Sequence, residues 1–274
     1  MEVVGRGFQE IGAPLSEQEI RSGLATTRIG HAIRLFQVLG STNDEAAALA
    51  ASGAAEGTVV IAEAQRRGRG RMGRGWASPR GLGLYVSVIL RPPIPPQEAP
   101  ALTLMGAVAV ADAIERTSGL AAWVKWPNDL VVRERKVAGI LGEMAAEASR
   151  LHHVILGIGI NVNQTEVDFE GELRQTASSL RIEVGHPVDR TAMVHSLCEH
   201  LDRWYQRFLS DGVATILERF RRRCVTLGRV VVARSGDQEL RGLALELDGA
   251  GALVIRDTGG GLHRLLAGEV TLTG

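Results

Sequence analysis

The pattern of apolar and polar positions divides the first part of the chain into short strands alternating with helices. Strands are predicted where apolar residues alternate or form short runs between turn residues, and helices where a Ser or Pro start signal precedes an apolar or alanine-rich run. The predicted strands cover 31–39, 57–65 and 83–93, and the predicted helices cover 14–24, 41–53 and 101–117. The apolar run at 99–111 is too short to cross a bilayer and predicts a buried helix.

The middle of the chain adds strands, a loop and two helices. The segment 121–144 predicts three strands joined by a tight turn and a charged hairpin turn, and 152–163 predicts a further strand. A partly mobile loop with few apolar pairs is expected at 164–186. Apolar positions at helical spacing predict two helices within 188–223, separated at the SDG sequence.

The pattern changes from about residue 226 onwards. Short strands divided by DG and GG turns predict a small antiparallel β-barrel there. We therefore expect two domains, a larger one at 1–225 and the barrel at 226–274.

One segment between two apolar strands, RRGRGRMGRGW at 66–76, is rich in arginine and glycine. A disordered nucleic-acid tail would be expected at a terminus or among polar neighbours, which this segment lacks. Its glycines satisfy the dinucleotide-binding pattern GxGxxG, but a strand follows where that motif requires a helix. The favoured interpretation is an active-site loop that closes over an anion, and a solvated loop without a ligand is the alternative.

This interpretation assigns separate tasks to the two residue types of the loop. Glycines let backbone N–H groups approach an anion, and Arg69, Arg71 and Arg74 can add bidentate contacts to phosphate or carboxylate oxygens. The empty loop is expected to be mobile, because its arginines repel one another and glycine loses the most entropy on ordering.

The composition indicates a globular protein whose basic site is local. Hydrophobic residues make up 45% and charged residues 23% of the chain, and 31 basic residues balance 31 acidic ones. Cys198 and Cys224 lack the spacing of a zinc site or a disulfide framework. The N-terminus lacks the basic and apolar regions of a signal peptide, so a reducing cytoplasm is expected.

The two lysines of the chain are eleven positions apart, whereas all other basic residues are arginines. Lys125 opens the sequence KWPND, in which Pro127 predicts a tight turn that brings Lys125, Asn128 and Asp129 to a strand end. Lys136 begins the next strand after a hairpin turn. A compact ammonium group at a site would explain this distribution, and chance clustering is the alternative.

Several motifs in order along the chain together resemble the biotin protein ligases. They are STN at 41–43, AEAQRRGRGRMGRGWASPRG at 62–81, KWPNDL at 125–130, KVAGILGE at 136–143, GIGINVN at 157–163 and the final GEVTL. The similarity extends from about residue 25 to near the end of the chain. It implies an α+β fold, with a class II synthetase-like mixed α/β catalytic domain followed by an SH3-like β-barrel.

The resemblance implies that the protein makes biotinyl-5'-AMP from biotin and ATP and then transfers biotin to a lysine of a biotin carboxyl carrier protein. Mg²⁺ is expected with the nucleotide. The implied catalytic residues are Lys136, Arg69, Arg71 and Asp129, the last orienting the acceptor lysine or helping to deprotonate it. The implied biotin-binding residues are Ser41, Thr42, Asn43, Gln65, Arg69, Gly70, Arg71 and Lys136. The implied nucleotide-binding residues are Arg71, Arg74, Trp76, Lys125, Asn128 and Asn161.

Two features depart from the family pattern. Some members carry an N-terminal winged-helix domain of about 60 residues and act as repressors, but only about 30 residues precede the first predicted core strand here. We therefore expect a monofunctional ligase that does not bind DNA. Met72 and Gly75 stand where basic residues are frequent, which predicts weaker retention of the adenylate.

Two rival functions remain open, together with the choice between a monomer and a homodimer. A lipoate ligase or octanoyltransferase of the same superfamily would also acylate a carrier lysine, although the STN cluster and the complete arginine-glycine loop favour biotin. A nucleic-acid-binding regulator would need a basic C-terminal region, whereas residues 226–274 carry no basic excess.

Overall fold

The computed structural model describes residues 13–235 and 238–273. The expectation that no signal peptide is present concerns mainly residues 1–12, which lie outside this part. A seven-stranded sheet, in the order β1-β2-β3-β7-β6-β5-β4, forms the centre of the molecule, and all its pairings are antiparallel except that of β1 with β2. Its strands are β1 (Ile33–Phe36), β2 (Val59–Ala62), β3 (Gly83–Leu90), β4 (Trp123–Lys125), β5 (Asp129–Val132), β6 (Arg135–Glu147) and β7 (Arg150–Asn161).

The helices cover both faces of this sheet. They are α1 (Glu17–Ser22), α2 (Thr42–Ala51), α3 (Pro100–Ser118), α4 (Leu173–Thr176), α5 (Leu180–Val184), α6 (Arg190–Asp211) and α7 (Val213–Arg223). Alternate residues of the strands point to opposite faces, so that Val59 and Ile61 join the main core with α3 and α6, whereas Val60 packs with α2. The predicted strands and longer helices are confirmed, with shorter ends in several cases.

Side chains and glycines at the helix ends explain where the helices begin and stop. Ser41 caps α2 by accepting a hydrogen bond from the backbone N–H of Asn43, and Asp189 caps α6 in the same way through Thr191 and Ala192. Gly119 ends α3 with a φ of 73°, a left-handed conformation that glycine adopts without strain. No helix of the described residues is long and apolar enough to span a membrane.

The predicted C-terminal strands form a second, antiparallel sheet in the order β11-β10-β9-β8-β12. They are β8 (Val230–Ser235), β9 (Gln238–Leu247), β10 (Leu253–Asp257), β11 (Leu262–Leu265) and β12 (Glu269–Leu272). Their apolar residues belong to the same core as those of the large sheet. Trp126 crosses the junction, since its backbone N–H donates to Thr226 and its indole N–H to the carbonyl of Gly251. The domain boundary near 226 stays a prediction.

The prediction of a loop at 164–186 is wrong in part. The structure contains a short 3-10 helix at Glu166–Asp168, followed by α4 and α5. These helices are too short to produce an apolar period, which is why the pattern did not reveal them. Phe169 and Leu180 are buried, and the backbone N–H of Ser178 donates to the carbonyl of Lys136 at 2.9 Å.

A buried ion pair joins three distant parts of the chain. Arg190 and Glu63 have side chains only 2% and 1% exposed, and their closest N–O distance is 2.8 Å. Arg190 also donates to the carbonyl of Ala13 at 2.6 Å, and Glu63 accepts from the backbone N–H of Leu15 at 2.5 Å. Because these bonds satisfy both charged groups, removing one partner would leave the other buried without compensation.

We expect Arg190→Met to lower the free energy of unfolding by about 3–5 kcal/mol, because it isolates the Glu63 carboxylate. Urea unfolding followed by circular dichroism would measure the loss. Arg203→Met is the matched control on the exposed side of the same helix, with an expected effect within about 0.5 kcal/mol. Equal stability of Arg190→Met and the wild type would contradict this account of the pair.

Asp202 of α6 gives a prediction for acid stability. Burial acts to raise its pKa, but hydrogen bonds from the backbone N–H groups of Ile29, Thr27 and Arg28 outweigh burial, so its pKa is lowered. A carboxylate with a lowered pKa stabilises the fold at pH values above its pKa in the unfolded chain, which is about 3.9. This stabilisation is lost as the pH falls through the pKa of the folded state. The stability difference between wild type and Asp202→Asn should therefore shrink from pH 6 to pH 3. A difference that stays constant across this range would contradict the assignment.

Candidate active site

The candidate site lies on a face of the large sheet that is lined by glycines. Gly157 and Gly159 of β7 point to the same face, and Gly139 of β6 pairs with Gly159. A methyl group at Gly159 would lie 2.5 Å from the ring of Trp76, and one at Gly157 would overlap the amide of Asn43. The close approach of both side chains to the sheet thus depends on glycine.

The start of α2 brings Ser41, Thr42 and Asn43 to this face, where they form a polar cluster with Gln65. Thr42 donates from its backbone N–H and its hydroxyl to the side-chain oxygen of Gln65, at 2.8 and 3.0 Å. Ser87 of β3 lies 2.8 Å from the hydroxyl of Thr42 and 2.6 Å from the side-chain oxygen of Asn43. Ser41, Thr42 and Asn43 are each 4% exposed, so these bonds fix the orientation of a buried polar group.

The arginine-glycine loop folds back over the site as a narrow hairpin. Gly70 donates to the carbonyl of Arg74 at 2.7 Å, and Trp76 donates to the carbonyl of Gly68 at 2.9 Å. Its tip is a short 3-10 turn in which Met72 has a φ of 55°. Mobility of the empty loop stays a prediction.

The three arginines of the loop reach different partners, which separates their charges. Arg69 contacts Asp44 and Glu143, and Arg71 donates to the side-chain oxygen of Asn128 at 3.0 Å. Arg74 forms an ion pair of 2.7 Å with Glu269 of the small sheet. The loop is therefore held by α2, by β6, by the KWPND turn and by the C-terminal sheet.

Both lysines lie beside Asp129. Lys136 pairs with the Asp129 carboxylate at 2.6 Å, and its ammonium lies 5.3 Å from the centre of the Trp76 ring. Lys125 pairs across the strands with Asp129, and burial lowers the pKa of Lys125 although Asp129 partly opposes the shift. Burial also lowers the pKa of Arg71. The site therefore holds a surplus of partly desolvated positive charge, which favours an anionic ligand.

The two predicted asparagines have internal partners. Asn128 donates to the carbonyl of Ile140 at 2.8 Å while it accepts from Arg71, so it lies at the loop contact. Asn161 donates to the carbonyl of Ser178 at 2.9 Å, and Gln164 donates to Asn161 at 3.3 Å. Asn161 thus supports the 164–186 segment, and its predicted role at the nucleotide is untested.

Sequence reasoning did not single out several residues of this site. Ser87 has a visible signal, because it is the one serine in a strand otherwise made of glycine, aliphatic residues and a tyrosine. Gly157 and Gly159 also have a signal in the sequence, because glycines two positions apart on a strand leave one face of that strand without side chains. Glu143 and Glu269 lie within the quoted motifs, but their contacts with the loop depend on tertiary structure that sequence patterns do not reveal.

Comparison with known proteins agrees with this geometry. Residues 35–161 match the model of the Biotin/lipoate A/B protein ligase family. The "Bifunctional ligase/repressor BirA" of Bacillus subtilis is 39% identical over 97% of this chain and 82% of its own length. The "Biotin--[acetyl-CoA-carboxylase] ligase" of Mycobacterium tuberculosis is 34% identical over 94% of this chain and 95% of its own length.

A solved structure shows the same fold. The biotin protein ligase from Aquifex aeolicus in complex with biotin and ATP matches with a TM-score of 0.76 and 28% identity, covering 89% of this chain and 99% of that one. The fold and site thus define a protein of the biotin and lipoate ligase class. Within that class, the chain belongs to the biotin protein ligase family and is an enzyme of that family. The predicted fold class and family resemblance are confirmed.

We expect Gly159→Ala to weaken biotin binding by about tenfold. The added methyl group would collide with Trp76 and reduce the space over the glycine-lined face of β7. Isothermal titration calorimetry with biotin alone would measure this change. Gly249→Ala is the control, since a methyl group there meets open space. Unchanged affinity in Gly159→Ala would show that the ligand does not use this face.

Proposed function

We propose that this ligase attaches biotin to protein in two half-reactions at the glycine-lined face. In the first, an oxygen of the biotin carboxylate attacks the α-phosphorus of ATP, and pyrophosphate leaves as biotinyl-5'-AMP forms. In the second, the amine of an acceptor lysine attacks the acyl carbon, and AMP leaves. The observation that carries the proposal is that one site brings together the polar cluster, the glycine-lined face, the partly desolvated Arg71 and Lys125, and the Lys136 ammonium beside Asp129.

The polar cluster suits the ureido ring of biotin. A urea group presents both N–H donors and a carbonyl acceptor, and each would be costly to bury without a partner. Ser41, Thr42, Asn43 and Gln65 offer hydroxyl and amide groups whose mutual bonds already fix their directions. Preorganised groups lose less entropy when a ligand binds, which supports this end as the specificity pocket.

The glycine-lined face and the loop suit the rest of biotin. No side chain rises from the strand at Gly157 and Gly159, and the apolar tail can lie along these glycines once it displaces the Trp76 ring that covers Gly159. The backbone from Arg69 to Arg71, including Gly70, would close over it. This arrangement leads the biotin carboxylate towards Lys136.

Positive charge then supports the first half-reaction. The attacking carboxylate and the α-phosphate repel each other, and Arg69, Arg71 and Lys136 would offset this repulsion and stabilise charge on the phosphoryl oxygens. The ion pair with Asp129 positions Lys136 but leaves other ammonium protons free to donate. A flexible ammonium group can follow the reacting oxygens from one step to the next.

Lys136 would serve again in the transfer step, by polarising the acyl carbonyl. We propose that Asp129, beside it, orients the acceptor lysine for attack.

The nucleotide is proposed to lie among Arg74, Trp76, Lys125, Asn128 and Asn161. Support for Trp76 comes from its indole N–H, which is buried without a hydrogen-bond partner in the described structure and is available to a ligand.

Mg²⁺ is proposed to enter with ATP. It usually binds through phosphate oxygens, water and one or two carboxylates, so it needs few protein ligands. The described residues contain no group of three or more His, Cys, Asp or Glu side chains able to hold a metal. The ion would neutralise phosphate charge.

The acceptor is proposed to be the biotin carboxyl carrier protein of a carboxylase, in a reducing cytoplasm. The Mycobacterium tuberculosis relative is named as a ligase of acetyl-CoA-carboxylase, which supports this class of acceptor. Lipoate and octanoate are the alternative acyl groups, and the polar cluster favours biotin over both.

ATP–pyrophosphate exchange with biotin, lipoate or octanoate tests this proposal. We expect exchange with biotin only, and exchange with lipoate or octanoate alone would contradict the substrate assignment.

Lys136→Ala should lower the biotin-dependent exchange rate at least about a hundredfold, because the charge that stabilises the transition state is removed. Biotin affinity, measured without ATP, should change little. Normal exchange by Lys136→Ala would overturn the role of Lys136. Exposed Arg203→Met serves again as the control, with wild-type exchange expected.

A further inference from the structure

Glu143 of β6 lies between the arginine-glycine loop and the polar cluster. Its two carboxylate oxygens accept from the same guanidinium nitrogen of Arg69, each at 3.0 Å. One of these oxygens also accepts from the side-chain N–H of Asn43, at 2.6 Å. Among the described residues, Glu143 is the carboxylate that contacts both the loop and the cluster.

The bond to Glu143 helps to determine which way the Asn43 amide faces. The oxygen of this amide accepts from Ser87 at 2.6 Å, and its nitrogen donates to Glu143. The alternative acceptor for that nitrogen is the carbonyl of Leu141, at 3.5 Å, which is at the limit of a hydrogen bond. Without Glu143, one donor of a side chain that is 4% exposed would be poorly satisfied.

Arg69 has a second partner that does not reach the cluster. Asp44 contacts Arg69, and this bond contributes most to the raised pKa of Arg69, with Glu143 adding to it. Asp44 has no contact with Asn43 among the described hydrogen bonds. Arg69 is therefore held by two carboxylates, of which Glu143 alone is joined to the cluster.

We propose that Glu143 is a positioning residue that couples closure of the arginine-glycine loop to the orientation of Asn43 in the biotin pocket. The proposal rests on the proposed function, in which Asn43 binds the ureido ring. A ligand that fixes Asn43 favours the position of Glu143 that accepts from Arg69, and thus favours the closed loop. Such coupling is reciprocal, so a loop that cannot reach Glu143 weakens biotin binding.

A double-mutant cycle measures this coupling. Biotin affinity is determined without ATP for the wild type, Glu143→Gln, Arg69→Ala and the double variant. Gln keeps an oxygen for Asn43 but loses the charge that holds Arg69. We expect each single variant to raise the Kd for biotin about two- to fivefold, the range for a partly exposed ion pair. The double variant should raise this Kd by no more than a single variant does, because either change already breaks the same contact. Effects that multiply would overturn the proposal.

Glu143→Ala separates the two contacts of this carboxylate. It removes the acceptor of Asn43 as well as the partner of Arg69, so its Kd should exceed that of Glu143→Gln. An equal Kd for the two variants would contradict the contact with Asn43. Glu147→Gln, on the same strand with a side chain 81% exposed, is the matched control and should retain the wild-type Kd.

Tryptic cleavage at the arginines of 66–74 reports on the loop directly. At saturating biotin, the wild type and Glu147→Gln should be protected relative to the free protein, whereas Glu143→Gln and Glu143→Ala should be cleaved several times faster. Equal protection of all four proteins would overturn the proposal. If the wild type shows neither biotin binding nor biotin-dependent exchange, the proposed function itself fails. If the wild type shows biotin binding and biotin-dependent exchange while the effects of the two substitutions on Kd multiply, only the proposed coupling fails.

Discussion

The site depends on the register of the three central antiparallel strands. This register places Gly159 opposite Gly139 on one side and opposite Tyr85 on the other, so that β7 presents a surface without side chains between its neighbours. Trp76 and Asn43 approach the backbone there more closely than any Cβ atom would allow. A shift by one residue would turn the glycines to the α3 side and fill the site with isoleucine side chains.

Lys136, Arg69 and Arg74 of the site form ion pairs that remain close to water. Lys136 is 35% exposed and Asp129 is 23% exposed, and the pairs of Arg69 and Arg74 are exposed further. Such pairs contribute little to stability, and their partners can be exchanged for ligand anions at low cost. The Arg190–Glu63 pair is almost fully buried, so it suits a structural role. Burial thus distinguishes charges that organise the fold from charges available for chemistry.

The large elements and the polar cluster could be predicted from sequence, because apolar periodicity and caps are local signals. The helix at 41–53 is an example, since Ser41, a helix cap, begins the same STN sequence that supplies the cluster. The ion pair between Lys136 and Asp129 could not be predicted, because it depends on the hairpin register of β5 and β6. The Arg74–Glu269 pair joins residues 195 positions apart, and no local pattern specifies such a contact. The short helices α4 and α5 were missed for lack of length.

The most direct test of the account is a crystal structure of this protein with a nonhydrolysable analogue of biotinyl-5'-AMP. The account predicts the ureido ring among Thr42, Asn43 and Gln65, the tail along Gly157 and Gly159, and the phosphate-mimicking group within hydrogen-bond distance of Lys136 and Arg71. An analogue bound away from the glycine-lined face, with Trp76 still lying on Gly159, would contradict it.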